Sequence, residues 1–102
     1  MPSICYCHKD IGDIDRGGVC ALFKELAKGM SKLGWQTYCI TQRDLNIDNV
    51  KTIKIKAESD PLVYSEKVTK IINNLNPDIV ECSIWKFELL NYLRQSERKS
   101  KV

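Results

Sequence analysis

The sequence predicts an α/β fold, a Rossmann-like three-layer arrangement around a parallel sheet with strand order 3-2-1-4. Three observations predict it. Ser3 to Cys7 (SICYC) is apolar on both alternating faces, as suits a central strand covered by helices on either side. That run passes through a polar, aspartate-rich loop, His8 to Gly18, straight into a strongly amphipathic helix. Beyond it, strand-like and helix-like segments follow in the order β-α-β-β-α-β-α. A strand–helix–strand unit with a right-handed crossover, repeated, builds a parallel sheet.

The elements follow in chain order. After the first strand, Val19 to Leu33 is the clearest helix, with Val19, Leu22, Phe23, Leu26, Ala27, Met30 and Leu33 forming an apolar stripe at helical spacing. Lys24, Glu25, Lys28, Ser31 and Lys32 take the other face, and Gly34 supplies the stop. Trp35 to Thr41 reads as the second strand, and Gln42 to Asn49 as a polar connection. Val50 to Lys56 (VKTIKIK) alternates apolar residues with lysines; such a strand belongs at a sheet edge, where lysines oppose edge-to-edge pairing. Ser59-Asp60-Pro61 starts a helix that runs to Asn76-Pro77, buried along Tyr64, Val68, Ile71, Ile72 and Leu75. Asp78 to Cys82 is the fourth strand. Ser83 then caps a third helix, Ile84 to Leu93, carrying Trp85, Phe87, Leu89, Leu90 and Leu93. Residues 1–93 form one domain by this reading, and 94–102 a basic polar linker whose end starts a further strand.

Composition narrows the function classes. The chain has 102 residues, 43% hydrophobic and 28% charged, enough for one domain with a modest core. No apolar run reaches the roughly 18–20 residues that span a bilayer, and no basic, apolar leader opens the sequence; the expected location is the cytosol. The net charge of +3 is that of Arg94, Arg98, Lys99 and Lys101 against Glu97, because residues 1–93 hold 12 basic and 12 acidic side chains. A nucleic-acid partner is not expected of a body so balanced. Five cysteines (Cys5, Cys7, Cys20, Cys39 and Cys82) fall mostly in strands. Cys5 and Cys7 share one strand face rather than a knuckle loop, so the thiols are expected to be reduced, small core residues, and no metal site is expected.

The loop from His8 to Gly18 is the candidate site. In open α/β sheets, ligands bind beyond the carboxyl ends of the strands, near the point where strand order reverses. Backbone N–H groups of Gly17, Gly18 and Val19 would face outward at a helix N-terminus and favour an anion such as phosphate. Two glycines let a ligand approach the backbone. The dinucleotide pattern G-x-G-x-x-G is absent. Gly12-x4-Gly17 imitates a P-loop, but Gly18 and Val19 stand where Lys and Ser/Thr are needed. Asp10, Asp13 and Asp15 lack the spacing of a calcium loop and read as solvated or capping groups. His8 stands where a general base or substrate contact would, or is structural. Arg16 pairs with a phosphate or with a loop aspartate.

Three segments together resemble the N-terminal domains of GT-B glycosyltransferases, family 4 in particular. They are Gly17-Gly18-Val19; Glu25-Leu26-Ala27-Lys28-Gly29-Met30 running to Leu33-Gly34-Trp35-Gln36-Thr37 and Tyr38-Cys39-Ile40-Thr41; and Pro77-Asp78-Ile79-Val80-Glu81-Cys82-Ser83. That family opens with a strand, a Gly-Gly loop and a helix of the type E-L-A-x-x-L-x-x-x-G, and later has P-D-[IV]-[IV]. It usually has G-H-x-V where this chain has Trp35 and Tyr38. The resemblance covers nearly the whole chain and implies the incomplete N-terminal half of a GT-B fold. It implies sugar transfer from a nucleotide-sugar, which is a co-substrate rather than a cofactor, to an acceptor molecule. By position, Gly17 and Gly18, with Arg16 beside them, would neighbour the donor diphosphate; Ser83, Trp85 and Glu88 would line the acceptor side. The family's second domain and its E-x7-E motif are absent from this sequence, so no catalytic residue is carried over and the chain alone is expected to be inactive. The resemblance leans towards retaining chemistry.

Two other classes stay open at this point. One is a stand-alone α/β module binding a phosphate, nucleotide or partner chain, with an exposed sheet edge favouring a homo-oligomer or a missing C-terminal domain. The other is peripheral attachment to an anionic membrane surface through the Lys24, Lys28 and Lys32 stripe and the basic tail, against the simpler reading of a solvated helix face.

Overall fold

A computed structural model describes residues 2–8, 11–12, 18–56 and 60–82. Its elements are β1 (Ser3–Cys7), α1 (Gly18–Lys32), β2 (Gln36–Thr41), β3 (Val50–Lys54), α2 (Pro61–Leu75) and β4 (Ile79–Cys82). The four strands form one sheet in the order β3-β2-β1-β4, and every pairing is parallel. The chain is therefore an α/β protein of Rossmann-like topology. The third helix expected at Ile84 to Leu93, and the linker after it, lie outside the described residues.

Alternation along β1 divides the core into two layers. Cys5 and Cys7 point to one face, where they pack with Tyr38, Ile40 and Val80 of the sheet and Tyr64, Val68 and Ile72 of α2. Ile4 and Tyr6 point to the other, against Phe23 and Ala27 of α1. The register Cys5–Tyr38 and Cys5–Val80 puts like-facing residues of three strands side by side. All five cysteines are free thiols, four of them buried. Burial, then the Cys5 thiol nearby, pushes Cys39 up to about 12; burial, then Glu81 and Cys39, takes Tyr6 to about 12.

The helix ends are built from the residues expected. Asp60 caps α2 by accepting a hydrogen bond from the Leu62 N–H (2.9 Å) ahead of Pro61. Asn76 closes the same helix in the left-handed region, φ 50°. Gly34 follows α1 with φ +91°. There the Trp35 N–H donates to Met30 O and the Gly34 N–H to Ser31 O, both at 3.1 Å, the Schellman pattern.

Two expectations need correction. The apolar stripe of α1 is not buried as a whole: Leu22, Leu26 and Leu33 are 53%, 37% and 76% exposed, while Cys20, Phe23 and Ala27 are buried. One helix on one sheet covers only part of its circumference, and about 100° per residue carries the three leucines onto the flank. The connection Gln42 to Asn49 is not simply polar either. Ile47 is 5% exposed and belongs to the α1-side core.

That connection explains how two parallel strands are joined without a helix. Eight residues lie between β2 and β3. Extended, they reach about 26 Å, more than the ~17 Å length of a five-residue strand. The segment returns along the face of the sheet that carries α1, inserting Ile47 as it goes. It is tied by Ser31 Oγ donating to Asn49 O (3.2 Å) and Thr52 Oγ1 donating to Leu45 O (2.9 Å). A cleft is left between this return segment and α1. The edge position expected for β3 is the one it occupies.

Candidate functional site

The carboxyl ends of the strands converge on three segments: His8 with the Ile11–Gly12 turn after β1, the first turn of α1, and Thr41 to Asn46 after β2. Parallel pairing places all of them at one end of the sheet.

His8 continues the α1-facing side of β1. Its N–H donates to Ile40 O (3.1 Å), its ring meets Phe23 edge-on at 6.2 Å, and its Nδ1 lies 3.7 Å from Cys20 Sγ. Both His8 and Cys20 are buried. The imidazole thus ties the end of β1 to the first turn of α1. The sequence carried no spacing signal for this contact, because it depends on how the intervening loop closes.

Gly18 is the first residue of α1 and is exposed. A Cβ placed on it would meet no described atom within 4 Å. No packing among the described residues asks for glycine there. Gly12 differs. It has φ +86°, and a Cβ would come 3.0 Å from Leu45 Cδ1 and 3.6 Å from Lys24 Cδ. Its N–H donates to Cys20 O (2.9 Å), pinning the turn to α1. Gly17, Arg16, Ser83, Trp85 and Glu88, together with Asp10, Asp13 and Asp15, lie outside the described residues.

Beside the Gly12 turn is a cavity of about 280 Å³ lined by Ile11, Gly12, Lys24, Arg43, Asp44, Leu45 and Asn46. A second, wider cavity of about 530 Å³ shares Lys24 and Asn46 with it and is lined also by Lys28, Ser31, Lys32 and Ile47 to Asn49. Asp44 is engaged by Lys54 (2.8 Å); that hydrogen bond, then the charge behind it, lowers its carboxyl pKa. Lys28 meets Glu25 at 3.4 Å. Next to Arg43 in the chain, Gln42 Nε2 is buried with no hydrogen-bond partner among the described residues. The lysine stripe of α1 was visible in the sequence; the cleft it lines was not, because its other wall comes from the return segment.

Among the described residues no group of three or more His, Cys, Asp or Glu is placed to hold a metal ion. No described helix is long and apolar enough to cross a membrane. No family model matches the chain, and no curated protein matches it.

Proposed function

We propose that the chain is the acceptor-side, Rossmann-like domain of a GT-B glycosyltransferase, acting with a second domain that holds the nucleotide-sugar. One observation carries the proposal: β1, at the centre of a parallel 3-2-1-4 sheet, leads to a helix opened by an exposed glycine that packing among the described residues does not require. A position free of side chain and turned outward at a helix N-terminus suits the approach of a diphosphate. The ordered Gly-Gly, E-L-A and P-D-I-V segments support the same reading. In it, Gly17, Gly18 and Arg16 neighbour the donor diphosphate, and Ser83, Trp85 and Glu88 face the acceptor. The domain contributes no catalytic residue that we assign, and it works in the cytosol.

The test uses the complete product of the reading frame that contains this chain. It is incubated with a panel of nucleotide-sugars and pooled acceptors, and release of nucleoside diphosphate is followed. Acceptor-dependent release is expected, and Gly18→Val should depress it with the fold intact, since no described atom lies within 4 Å of a Cβ at Gly18. Absence of release with every donor, in a product lacking a second Rossmann-like domain, overturns the proposal in favour of a stand-alone binding module.

A further inference from the structure

We infer that the cleft between α1 and the return segment after β2 is a binding site for a small anionic ligand of the phosphate-ester class, gripped by Lys24 and Arg43. The inference does not depend on the glycosyltransferase proposal.

Three features of the cleft point to such a ligand. The first is charge. Four cations, Lys24, Lys28, Lys32 and Arg43, line two cavities that share Lys24 and Asn46, against the carboxylates of Asp44 and Asp48; Lys28 also meets Glu25, outside the lining, at 3.4 Å. Asp44 is neutralised by Lys54, which lies outside the lining. Lys24 takes part in no ion pair among the described residues and lines both chambers. A concave surface with an excess of one sign of charge concentrates counter-ions of the other.

The second feature is shape. The chambers of about 280 and 530 Å³ are of the size that takes a small molecule. Lys24 and Lys28 are half-buried, with the return segment opposite. A flat membrane surface would need the lysines to project from a convex face; here they look into a groove. This favours a discrete ligand over non-specific adsorption.

The third is preorganisation. The narrow chamber is walled by the Ile11–Gly12 turn. Ile11 is 1% exposed, and the Gly12 N–H is fixed to Cys20 O. The stem of Lys24 and the methyl of Leu45 lie close against Gly12. A wall held by backbone bonds and a positive-φ glycine does not need to form on binding. The chamber sits at the carboxyl ends of β1 and β2, where open α/β sheets receive ligands. Asn46 adds a side chain able to donate to a phosphate oxygen or accept from a hydroxyl.

The experiment is a two-dimensional amide NMR titration of the full chain with inorganic phosphate, pyrophosphate, glucose 1-phosphate and glucose, at fixed ionic strength. Saturable shifts at Gly12, Lys24 and Arg43 to Asn46 are expected with the phosphates and not with glucose. Lys24→Gln and Arg43→Gln should each weaken binding by about tenfold or more. Lys24→Arg should restore it, and Lys70→Gln on the exposed face of α2 should leave it unchanged. Retained melting behaviour of the variants separates lost binding from lost folding. Anionic phospholipid vesicles added as competitor distinguish the sources of the anion. Displacement of phosphate identifies a lipid headgroup, no displacement a soluble ester, and both support the site. Shifts that do not saturate, or binding unchanged in the Lys24→Gln Arg43→Gln double variant, overturn it.

Discussion

Removing the Asp78 carboxylate should unfasten β4 from β1 at the centre of the sheet. Asp78 precedes β4 and faces Ser3, the first residue of β1. Its Oδ2 accepts from the Ser3 N–H (2.8 Å) and from Ser3 Oγ (3.2 Å). In return, the Asp78 N–H donates to Ser3 Oγ (3.0 Å) and Ser3 O (3.1 Å). Asp78→Ala deletes the two bonds made by the carboxylate. A bond to a charged acceptor is worth about 1.5–3 kcal/mol and a neutral one about 1 kcal/mol. Both partners are open to solvent here, so the freed Ser3 N–H recovers water and the expected cost falls to about 1.5–2 kcal/mol. Asp78→Asn keeps an acceptor without the charge and should cost about 1 kcal/mol or less. Urea denaturation reads the loss as a lower midpoint at unchanged slope. Adding Ser3→Ala closes a double-mutant cycle, with an expected coupling of about 0.5–1 kcal/mol because the backbone half of the clasp survives the serine change. A cost below about 0.5 kcal/mol for Asp78→Ala, or strictly additive singles, would refute the claim that this clasp secures β4.

Three further outcomes are expected. Phe23→Ala should cost about 3–5 kcal/mol, because Phe23 is buried against Tyr6 and His8, whereas Leu22→Ala one position away should stay within about 0.5 kcal/mol; paired denaturation curves compare them. Asp60→Ala should cost about 1 kcal/mol through loss of the α2 cap, and Asp60→Ser should recover most of it. Alkaline stability should also fall. Cys39 moves from 9.0 to about 12 on folding, so its contribution is complete below pH 9.0, where both states hold the proton. Above that the unfolded chain ionises first, and the contribution is lost as pH rises through about 12. It amounts to at most about 4 kcal/mol by linkage. Denaturation midpoints across that range should decline less steeply for Cys39→Ala, with Tyr6, raised to about 12, still contributing to the slope.

Much of the sheet was legible because its signals are local. SICYC is apolar on both faces only because β1 has a neighbour layer on each, and the lysines of VKTIKIK mark β3 as an edge. Gly34, Asp60 and Asn76 act on the backbone of their own helix ends. What escaped depends on contacts between segments. Six stripe positions on α1, with Leu33 just beyond its end, cannot all face one sheet, and nothing within the helix says which are covered. Leu45 and Ile47 in a mostly polar connection look incidental until both are seen to pack with the α1-side core. The His8–Cys20 contact and the pairing of Lys24 with the Arg43 segment join residues from different elements. The Pro77-Asp78 pair was read through resemblance, yet Asp78 has a reason of its own in the clasp with Ser3, which any chain with this strand geometry would gain from.

The two described glycines of the opening loop carry different physical demands, and this decides what each can reveal. From sequence, the Gly17-Gly18 pair stood out as the place where a ligand nears the backbone, and Gly12 counted only as the start of a failed P-loop match. In the structure Gly12 is the one that its own surroundings require: a left-handed φ of +86°, with Leu45 3.0 Å from any added Cβ. A side chain there would strain the turn and push into the wall of the basic cleft, so its effects on folding and on anion binding would be inseparable. Gly18 has no positive φ, and no described atom lies within 4 Å of a Cβ placed on it. A side chain at Gly18 is therefore felt chiefly by whatever approaches from outside. Substitution at Gly18 interrogates the nucleotide-sugar proposal, and substitution at Lys24 or Arg43 interrogates the cleft. Neither experiment borrows its outcome from the other.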